Sequence, residues 1–320
     1  MQAIEIPEFG AASVLTLSER ERPSPKDDEV LIKVHAAGVN RPDIVQRLGK
    51  YPPPEGITDI PGLEVAGEII QSNSKEWQVG DHVCALIAGG GYAEYAIAPA
   101  AQCLPIPDQY SMEMAAALPE TIFTVWNNLF KRAHLSKGQT ALIHGGSSGI
   151  GTMAIQMAKA IDAKVIITAG TDEKCQACLD LGADIAINYK EKDFAAEIGS
   201  EMVDAVLDMV GGDYIEKNLD VLKTDGHHVS IAFIGGAKAN INIPIVMKKR
   251  LTITGSTLRP RPISEKKILR DEIIAHMWPF VMNGQIKPII FKSFALKDAA
   301  LAHSALEKGD HFGKIVLKVI

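Results

Sequence analysis

Short apolar segments separated by polar turns dominate the first third of the chain. Val, Ile and Ala are concentrated in four segments, 2–6, 29–39, 63–70 and 92–98. Clusters rich in Pro, Gly and Asp lie between them, as at 23–28 and 51–56, and such clusters form turns. Frequent short strands with intervening turns predict a mostly-β, barrel-like unit.

The hydrophobic period changes near residue 140. Apolar strands now alternate with helical segments, and each strand is apolar along its length, which is typical of a parallel sheet covered on both faces. Six strands are predicted, over 140–144, 164–168, 184–187, 203–209, 228–233 and 251–255. This number and alternation predict an α/β, doubly wound Rossmann sheet.

A Pro-rich segment at 258–262 ends this region. A helix is predicted over 265–281, and then a helix over 297–308 lies between two strand-like pieces, 288–294 and 314–319. We expect this tail to return to the first domain. The predicted domains are therefore 1–121 together with 259–320, and 122–258.

Composition restricts the function classes. The chain has 320 residues, 47% hydrophobic and 22% charged, which is ordinary for a folded protein of two domains. Its net charge of −6 disfavours a nucleic-acid partner. The first ten residues do not resemble a targeting segment, and no apolar run reaches the ~18 residues of a membrane span. We therefore predict a cytoplasmic protein with no membrane partner.

Cysteine usage adds one candidate motif. Cys175 and Cys178 form a C-x-x-C within a predicted helix. No second ligand pair lies nearby in the sequence to complete a tetrahedral site. A packing role is therefore favoured over a redox or metal role.

The strongest local signal is the segment 144–151, His-Gly-Gly-Ser-Ser-Gly-Ile-Gly. It follows a strand and opens a helix, which is the context that a phosphate-binding turn requires. Glycines let the backbone approach a pyrophosphate, and the helix N-terminus supplies free N–H groups. The predicted cofactor contacts in this turn are Gly146, Ser147, Ser148, Gly149, Ile150 and Gly151.

The end of the next strand indicates NADPH rather than NADH. NAD-preferring enzymes place an acidic residue there, hydrogen-bonded to the ribose. This chain has Gly170 and Thr171 instead, and Thr171 and Lys174 are candidates for contact with a 2′-phosphate. Asp172 is acidic and close by, and we interpret it as the N-cap of the following helix.

With these motifs the chain resembles the zinc-free quinone oxidoreductases of the medium-chain reductase superfamily, and within them it most resembles the p53-inducible branch. The resemblance extends over nearly the whole chain. Its main shared stretches are 40–43 (NRPD), 61–67 (PGLEVAG), 89–95 (GGGYAEY), 208–212 (DMVGG) and 313–317 (GKIVL). It implies that the mostly-β domain is a GroES-like catalytic domain.

The resemblance also predicts that no metal is bound. The zinc alcohol dehydrogenases of the superfamily have a Cys where this chain has Asn40 and a His where it has Leu63, and the third ligand region around Glu120 has no Cys. Without a Lewis acid, an unactivated alcohol is difficult to polarise. An acceptor that is already electron-poor needs less help, which favours quinone or enone reduction.

Further site residues are implied by the same resemblance. Asn40 and Tyr51 correspond to residues that line the pocket beside the nicotinamide. Alternatively, Asn40 only caps a helix and Tyr51 only packs in its Pro-rich loop. Thr124 corresponds to a position near the nicotinamide ribose and Tyr189 to one beside the adenosine phosphate, and we also assign Phe233 to the cofactor site.

The strand predicted within 251–257 is uncharged and β-branched, and an exposed sheet edge of this kind invites pairing with another chain. In the family this edge pairs with its own copy, so a homodimer is expected.

Three functions remain open from the sequence. The first is an NADPH:quinone oxidoreductase with a small-molecule acceptor. The second is an enone, enal or enoyl-thioester reductase on the same scaffold. The third is a cofactor-binding structural or RNA-binding protein of the crystallin kind, which the acidic net charge disfavours.

Overall fold

Apolar strands build two large sheets in the computed structural model, which describes every residue from Met1 to Ile320. The chain divides into two units. The first unit comprises Met1–Phe123, Arg259–Met282 and Lys287–Ile320, and the second comprises Thr124–Leu258 and Asn283–Ile286. Strands and helices are numbered below in chain order.

The first unit is mainly β. Its strands are β1 (Gln2–Glu5), β2 (Thr16–Glu19), β3 (Glu29–Val39), β4 (Glu64–Ser72), β5 (His82–Leu86), β6 (Tyr95–Pro99), β7 (Cys103–Pro105), β14 (Ile290–Ala295) and β15 (Lys314–Lys318). β1 and β2 form a separate antiparallel pair. The large sheet has the order β14-β15-β3-β4-β5-β7, and β6 also pairs with β3.

The long strand β3 organises this sheet because it pairs with β15, β4 and β6, all antiparallel. Most of its residues are buried, including Val30, Ile32 and Val34. Their side chains join a core with residues of β4, β5 and β15, such as Val65 and Leu317. The charged residues that follow or interrupt these strands are therefore held by a rigid apolar frame.

Short helices complete the first unit. They are α1 (Arg41–Arg47), α2 (Met112–Ala116), α3 (Pro119–Val125), α9 (Ile263–His276), α10 (Trp278–Met282) and α11 (Ala299–Lys308). Three 3₁₀ turns, Ala12–Val14, Ala100–Gln102 and Leu296–Asp298, lie between strands and helices. The chain passes to the second unit within α3, after Phe123.

The second unit is a six-stranded, entirely parallel sheet. Its strands are β8 (Thr140–His144), β9 (Lys164–Ala169), β10 (Ile185–Asn188), β11 (Val203–Asp208), β12 (Leu222–Ser230) and β13 (Thr252–Gly255), in the order β10-β9-β8-β11-β12-β13. The order reverses next to β8, as in a doubly wound dinucleotide fold. β13 forms one edge.

The helices of the second unit connect these strands. They are α4 (Gly149–Ala160), α5 (Asp172–Asp180), α6 (Phe194–Ile198), α7 (Tyr214–Val221) and α8 (Ile243–Lys249), preceded by the π-helix Trp126–Arg132. Leu142, Ile166 and Val206 from the strands pack with Phe194 and Leu219 from the helices. None of the helices in either unit has the length and hydropathy of a bilayer span.

The structure confirms the fold class but corrects several element bounds. The strand predicted over 228–233 begins earlier, at Leu222, and ends at Ser230, so Phe233 lies in a loop. The helix predicted over 265–281 is interrupted at Met277. Pro279 explains this break because proline lacks the N–H that a continuing helix would use. Strands β2, β5 and β7 and helices α6 to α8 had no sequence prediction.

Candidate active site

Asn40 follows the last residue of β3 and occupies the N-cap position of α1. Its backbone N–H donates to Asp43 Oδ2 at 2.8 Å, which secures the start of the helix. Its side chain turns away from the helix: Nδ2 donates to Glu64 Oε1 at 2.9 Å and Oδ1 accepts from Lys314 Nζ at 2.7 Å. Capping therefore describes only part of what Asn40 does, because its side chain is also bound by Glu64 and Lys314.

The two partners of Asn40 fix how its amide is turned. A lysine ammonium group has only donors and an ionised carboxylate only acceptors. Asn40 Oδ1 must therefore face Lys314, and Nδ2 must face Glu64. One hydrogen of Nδ2 then has no partner among these side chains, so Asn40 can offer one N–H to a further acceptor.

Glu64 and Lys314 form a buried ion pair beside Asn40. Their side chains are 0% and 5% exposed, and Lys314 Nζ lies 2.6 Å from Glu64 Oε1. Lys314 also donates to Val39 O at 3.1 Å, and Glu64 Oε2 accepts the backbone N–H of Glu120 at 2.8 Å. A buried pair of this kind is tolerated because its polar atoms are hydrogen-bonded.

The two strands that flank β3 bring Glu64 and Lys314 together. Glu64 begins β4 and Lys314 begins β15, and β3 lies between these two strands. A Cβ atom at Gly38 of β3 would collide with the Glu64 carboxylate. Glycine at this position therefore leaves the space in which the carboxylate reaches Lys314.

Asp43 holds the backbone of Asn40 in place and is itself fixed by further hydrogen bonds. Its second oxygen, Oδ1, accepts the backbone N–H of Gly62 at 3.2 Å, and Oδ2 also accepts from the Tyr92 hydroxyl at 3.0 Å. Tyr92 is in turn 3.1 Å from His303 Nε2. Burial raises the pKa of Asp43 to about 6, although these hydrogen bonds act in the opposite direction. The network ties α1 to the loop before β4.

Glu120 lies in the first turn of α3, and its side chain is partly exposed. Its backbone N–H is bound to Glu64, but its carboxyl group has no hydrogen-bond or ion-pair partner. Surrounding protein, and next the negative charge of Glu64, raise the pKa of Glu120 to about 8, while Lys314 lowers it. At pH 7 this carboxyl is therefore mostly protonated.

The Arg259 guanidinium group lies over the ring of Tyr51 in the first unit. The Arg259 guanidinium carbon lies 5.4 Å from the centre of the Tyr51 ring, which is a cation–π contact. Arg259 is 6% exposed, and its Nε donates to Ala88 O at 2.6 Å. Lys266 Nζ donates to Arg259 O at 2.9 Å, and burial lowers the pKa of Lys266 to about 8. Tyr51 thus covers a buried cation.

In the second unit, the glycine turn follows β8 and opens α4. Ser148 caps the helix, because its hydroxyl accepts the N–H of Gly151 at 3.0 Å. A Cβ atom at Gly151 would collide with the backbone of Gly145 and Gly146. The N–H groups of Gly149 and Ile150, in the first helical turn, have no intrahelical acceptor. This is the arrangement that holds a phosphate group.

A polar network anchors the strands below this turn. His144, the last residue of β8, contacts Thr168 Oγ1 at 3.0 Å and Asn218 Oδ1 at 2.7 Å. His228 of β12 lies 3.1 Å from Asp208 Oδ2 at the end of β11. Burial lowers the pKa of His144 and keeps it neutral. Asn218 of α7 links the two pairs, because its Nδ2 lies 3.4 Å from His228 Nε2. Side chains therefore connect β8, β9, β11 and β12 below the turn.

The end of β9 corrects one detail of the sequence interpretation. Thr171, not Asp172, is the N-cap of α5, and its hydroxyl accepts the N–H of Lys174 at 3.3 Å. Asp172 is the first helical residue, and its Oδ1 accepts from Asn188 Nδ2 at 2.8 Å. Thr171 occupies the N-cap position because its backbone is extended and the helix begins at the next residue. The Asp172 carboxylate binds Asn188 of β10 instead.

Gly170 connects this strand end to Tyr189. A Cβ atom at Gly170 would lie 2.9 Å from the Tyr189 hydroxyl and 3.6 Å from Cε of Lys190. Both side chains are exposed. Lys190 directly follows Tyr189, and the sequence analysis did not assign it to the cofactor site.

The remaining predicted cofactor residues also lie in the second unit. Thr124 is almost buried, and its carbonyl accepts from Asn128 Nδ2 at 2.9 Å within the π-helix region. Phe233 is 68% exposed and lies in a loop whose backbone is bound to 209–210 through Ile234 and Gly235. Their contact with a cofactor stays a prediction.

Comparison with known proteins identifies the family. An alcohol dehydrogenase GroES-like domain model matches residues 26–108, and a zinc-binding dehydrogenase model matches residues 149–271. The quinone oxidoreductase of Homo sapiens is 32% identical over 326 residues, covering 99% of this chain and 97% of the relative. The chain belongs to the quinone oxidoreductase family.

Solved structures agree with this assignment. The quinone oxidoreductase of Escherichia coli in complex with NADPH is 31% identical, with a TM-score of 0.86 and complete coverage of both chains. That of Thermus thermophilus, also solved with NADPH, is 29% identical, with a TM-score of 0.82 and the same coverage. The resemblance and the GroES-like plus Rossmann fold expected from the sequence are confirmed.

The sequence contained a signal for the charged cluster of Glu64 and Lys314 that the sequence analysis did not use. Glu64 and Lys314 each stand within an apolar strand, and a charge in such a position is buried and therefore paired. Glu120, Arg259 and Lys266 carried no comparable signal. Their relation depends on how distant segments of the first unit meet.

Proposed function

We propose that this chain catalyses the NADPH-dependent reduction of quinones or related electron-poor small molecules, by direct hydride transfer without zinc. The observation that carries the proposal is the Asn40 amide, which is held by Lys314 and Glu64 with one N–H free. End-to-end similarity to quinone oxidoreductases supports the acceptor class.

The second unit is proposed as the cofactor-binding unit. The turn from Gly146 to Gly151 suits the pyrophosphate, since backbone N–H groups and a helix N-terminus meet there. No carboxylate ends β9, and Lys174 and Lys190, which follow β9 and β10, are the proposed contacts for the 2′-phosphate of NADPH. When bound, NADPH would supply the hydride. The chain's own task is to hold the acceptor and stabilise the charge that develops on it.

Asn40 is proposed to donate its free N–H to the acceptor's carbonyl oxygen. Hydride uptake leaves negative charge on that oxygen. A preorganised donor stabilises the transition state, in which this charge develops, more than it stabilises the neutral acceptor in the ground state. The Lys314 ammonium group at Oδ1 withdraws electron density from the amide and strengthens the N–H as a donor. Lys314 thus acts through Asn40 as a positioning residue.

The same three side chains argue against zinc binding at this position. Zinc in proteins takes Cys, His, Asp or Glu ligands. Asn40 replaces the cysteine of the zinc enzymes, and the Glu64 carboxylate is already occupied by Lys314, 2.6 Å away. A divalent cation placed here would be repelled by that ammonium group. No cluster of three or more His, Cys, Asp or Glu is arranged to hold a metal ion.

Tyr51 is proposed to bind the flat ring of the acceptor. Its ring is half-buried and backed by the Arg259 guanidinium group, so its position is fixed on one side. An aromatic face of this kind suits a planar, electron-poor ring through stacking. This gives quinones a contact that a short aliphatic enal lacks.

The homodimer is a separate proposal. β13 forms the edge of the parallel sheet, and Ile253 on it is 40% exposed. A two-fold pairing of this edge with its copy would satisfy the unpaired backbone groups of both chains. Light scattering tests it: a mass near 34.5 kDa at micromolar concentration would mean a monomer. Ile253→Pro should convert a dimer to monomers.

An acceptor panel tests the proposed activity. The protein is mixed with NADPH and, separately, with benzoquinone, a naphthoquinone, an enone, an enal and an enoyl thioester, and loss of NADPH absorbance is followed. Fastest turnover on the quinones supports the proposal. Preference for the enone or thioester would favour the second function, and no turnover on any acceptor would favour the non-enzymatic one.

A further inference from the structure

Glu120 has a carboxyl group without a structural task. Its neighbours in the polar cluster are all engaged: Glu64 binds Asn40, Lys314 and the Glu120 backbone, and Lys314 has three acceptors. The Glu120 side chain makes none of these bonds and is partly exposed. A carboxyl group that lies among charged groups, has no partner of its own and belongs to a partly exposed residue is suited to exchanging a proton.

The charges around Glu120 come from every part of the cluster. Two carboxylates disfavour its ionised form, Glu64 from β4 and Asp43 from α1, and two ammonium groups favour it, Lys314 from β15 and Lys266 from α9. Tyr51 and Arg259 also interact with it electrostatically. Glu120 therefore shares its surroundings with Tyr51, the residue proposed to bind the acceptor ring.

We propose that Glu120 is a further catalytic residue, whose side chain donates the proton that the acceptor requires once it has taken up hydride. This inference rests on the proposed function. Hydride uptake adds two electrons and one hydrogen nucleus to the quinone or enone and leaves a phenolate or enolate oxygen. The acceptor oxygen gains an O–H bond, while the O–H bond of Glu120 breaks. NADPH is oxidised to NADP⁺, and the Glu120 carboxylate regains a proton from water.

The pH dependence follows from the raised pKa of Glu120. Below about pH 8 the group is protonated and can donate, and above it the proton is lost. The rate of the step is therefore expected to be level near neutral pH and to fall above about pH 8. An ordinary glutamate, with a pKa near 4.3, would be ionised throughout this range and would give no such decline.

The kinetic test compares Glu120→Gln with the wild-type protein on a quinone acceptor and NADPH. General-acid catalysis contributes roughly 100-fold or more, so kcat at pH 7 is expected to fall about 100-fold and the decline above pH 8 to disappear. Glu120→Asp keeps the acid and should keep the decline. Glu113→Gln is the matched control, because Glu113 is a surface partner of Lys318, 3.6 Å away, in the same unit.

Three outcomes overturn the inference in distinguishable ways. A Glu120→Gln protein with a rate within about twofold of wild type, or with the decline still present, refutes the role of Glu120 and leaves the proposed function standing. A wild-type protein that turns over no acceptor refutes the proposed function and this inference with it. A level wild-type profile up to pH 10 refutes the inference alone.

Two measurements on the cofactor-free protein need no turnover. Infrared titration should detect a carboxyl group that loses its proton near pH 8 in wild type and Glu113→Gln but not in Glu120→Gln. Its presence in all three proteins, or its absence from wild type, contradicts the proposal.

Linkage gives the second measurement. A carboxyl whose folded pKa exceeds its unfolded pKa reduces stability progressively as pH rises between the two values. Glu120→Gln should therefore gain stability relative to wild type between about pH 4.5 and pH 8 and change little further above it. A loss of stability across that window would instead mean that the side chain has a structural role.

Discussion

The two candidate sites of this protein are built from different parts of the chain. The cofactor site is mainly backbone, supplied by one continuous segment, 144–151, and held by a strand and a helix on either side. The acceptor site is made of side chains. Asn40 and Lys314, which touch at 2.7 Å, are 274 positions apart in the sequence.

This difference determines how each site responds to substitution. A backbone site needs space, so it is sensitive to any added side-chain atom and indifferent to most charges. A buried charge cluster needs balance, so removing one member leaves another without a partner in a medium of low dielectric. We therefore expect the largest stability effects in the first unit and the largest cofactor effects in the second.

The largest predicted effect is the loss of stability caused by Lys314→Met in the buried charge cluster. The Glu64 carboxylate, 0% exposed, would lose its counter-ion, and the free energy of unfolding is expected to fall by about 3–5 kcal/mol. Denaturant unfolding measures it. The double variant Glu64→Gln with Lys314→Met removes both charges and should recover much of the loss. A single variant within about 1 kcal/mol of wild type would contradict the balance argument.

The second largest predicted effect is the loss of NADPH affinity caused by Gly151→Val in the glycine turn. The new side chain would collide with the backbone of Gly145 and Gly146. Overpacking costs about 1–3 kcal/mol. If the turn moves to relieve this collision and must return to bind NADPH, the affinity measured by calorimetry is expected to fall by the same free energy, roughly 5- to 150-fold. Ala160→Val, at the other end of the same helix, is the control and should bind NADPH normally. Equal affinity of both variants would show that the turn does not hold the cofactor.

The smallest predicted effect concerns cofactor choice. Lys174→Ala should weaken NADPH binding by about 1 kcal/mol, roughly fivefold, and leave NADH binding unchanged, because an ion pair near the protein surface contributes little more than this. Lys190→Ala is expected to act in the same direction. Lys164→Ala, at the far end of β9, serves as the control. Wild-type protein that binds NADH as tightly as NADPH would refute the assignment.

The same contrast explains how much the sequence could predict. The glycine turn, β9 and the parallel sheet were predictable because hydrophobic period, glycine spacing and strand ends are local features. The C-terminus of β12 was misplaced at Phe233 because an apolar run such as Ile231–Ile234 does not reveal that its backbone binds to a neighbouring loop. Asp172 was wrongly predicted as the N-cap because Thr171 and Asp172 are adjacent and both residue types are common at this position.

The acceptor site was predictable only in part. Asn40 and Tyr51 were identified through family resemblance, but the partners that orient Asn40 depend on the pairing of β15 with β3 and of β3 with β4. Glu120 stood out in the sequence only as a marker of the third ligand region, and not as a group with a raised pKa. Its raised pKa arises from burial and from Glu64, which lies 56 positions earlier. Such properties require the assembled sheet.

One measurement tests the central claim most directly. Purified protein is dialysed against a strong chelator, its zinc content is determined, and the rate of NADPH oxidation with a naphthoquinone is compared before and after dialysis. We expect less than about 0.1 zinc per chain and an unchanged rate, because Asn40 and Lys314, not a metal ion, are proposed to activate the acceptor carbonyl. About one zinc per chain, together with loss of activity on its removal, would contradict the account.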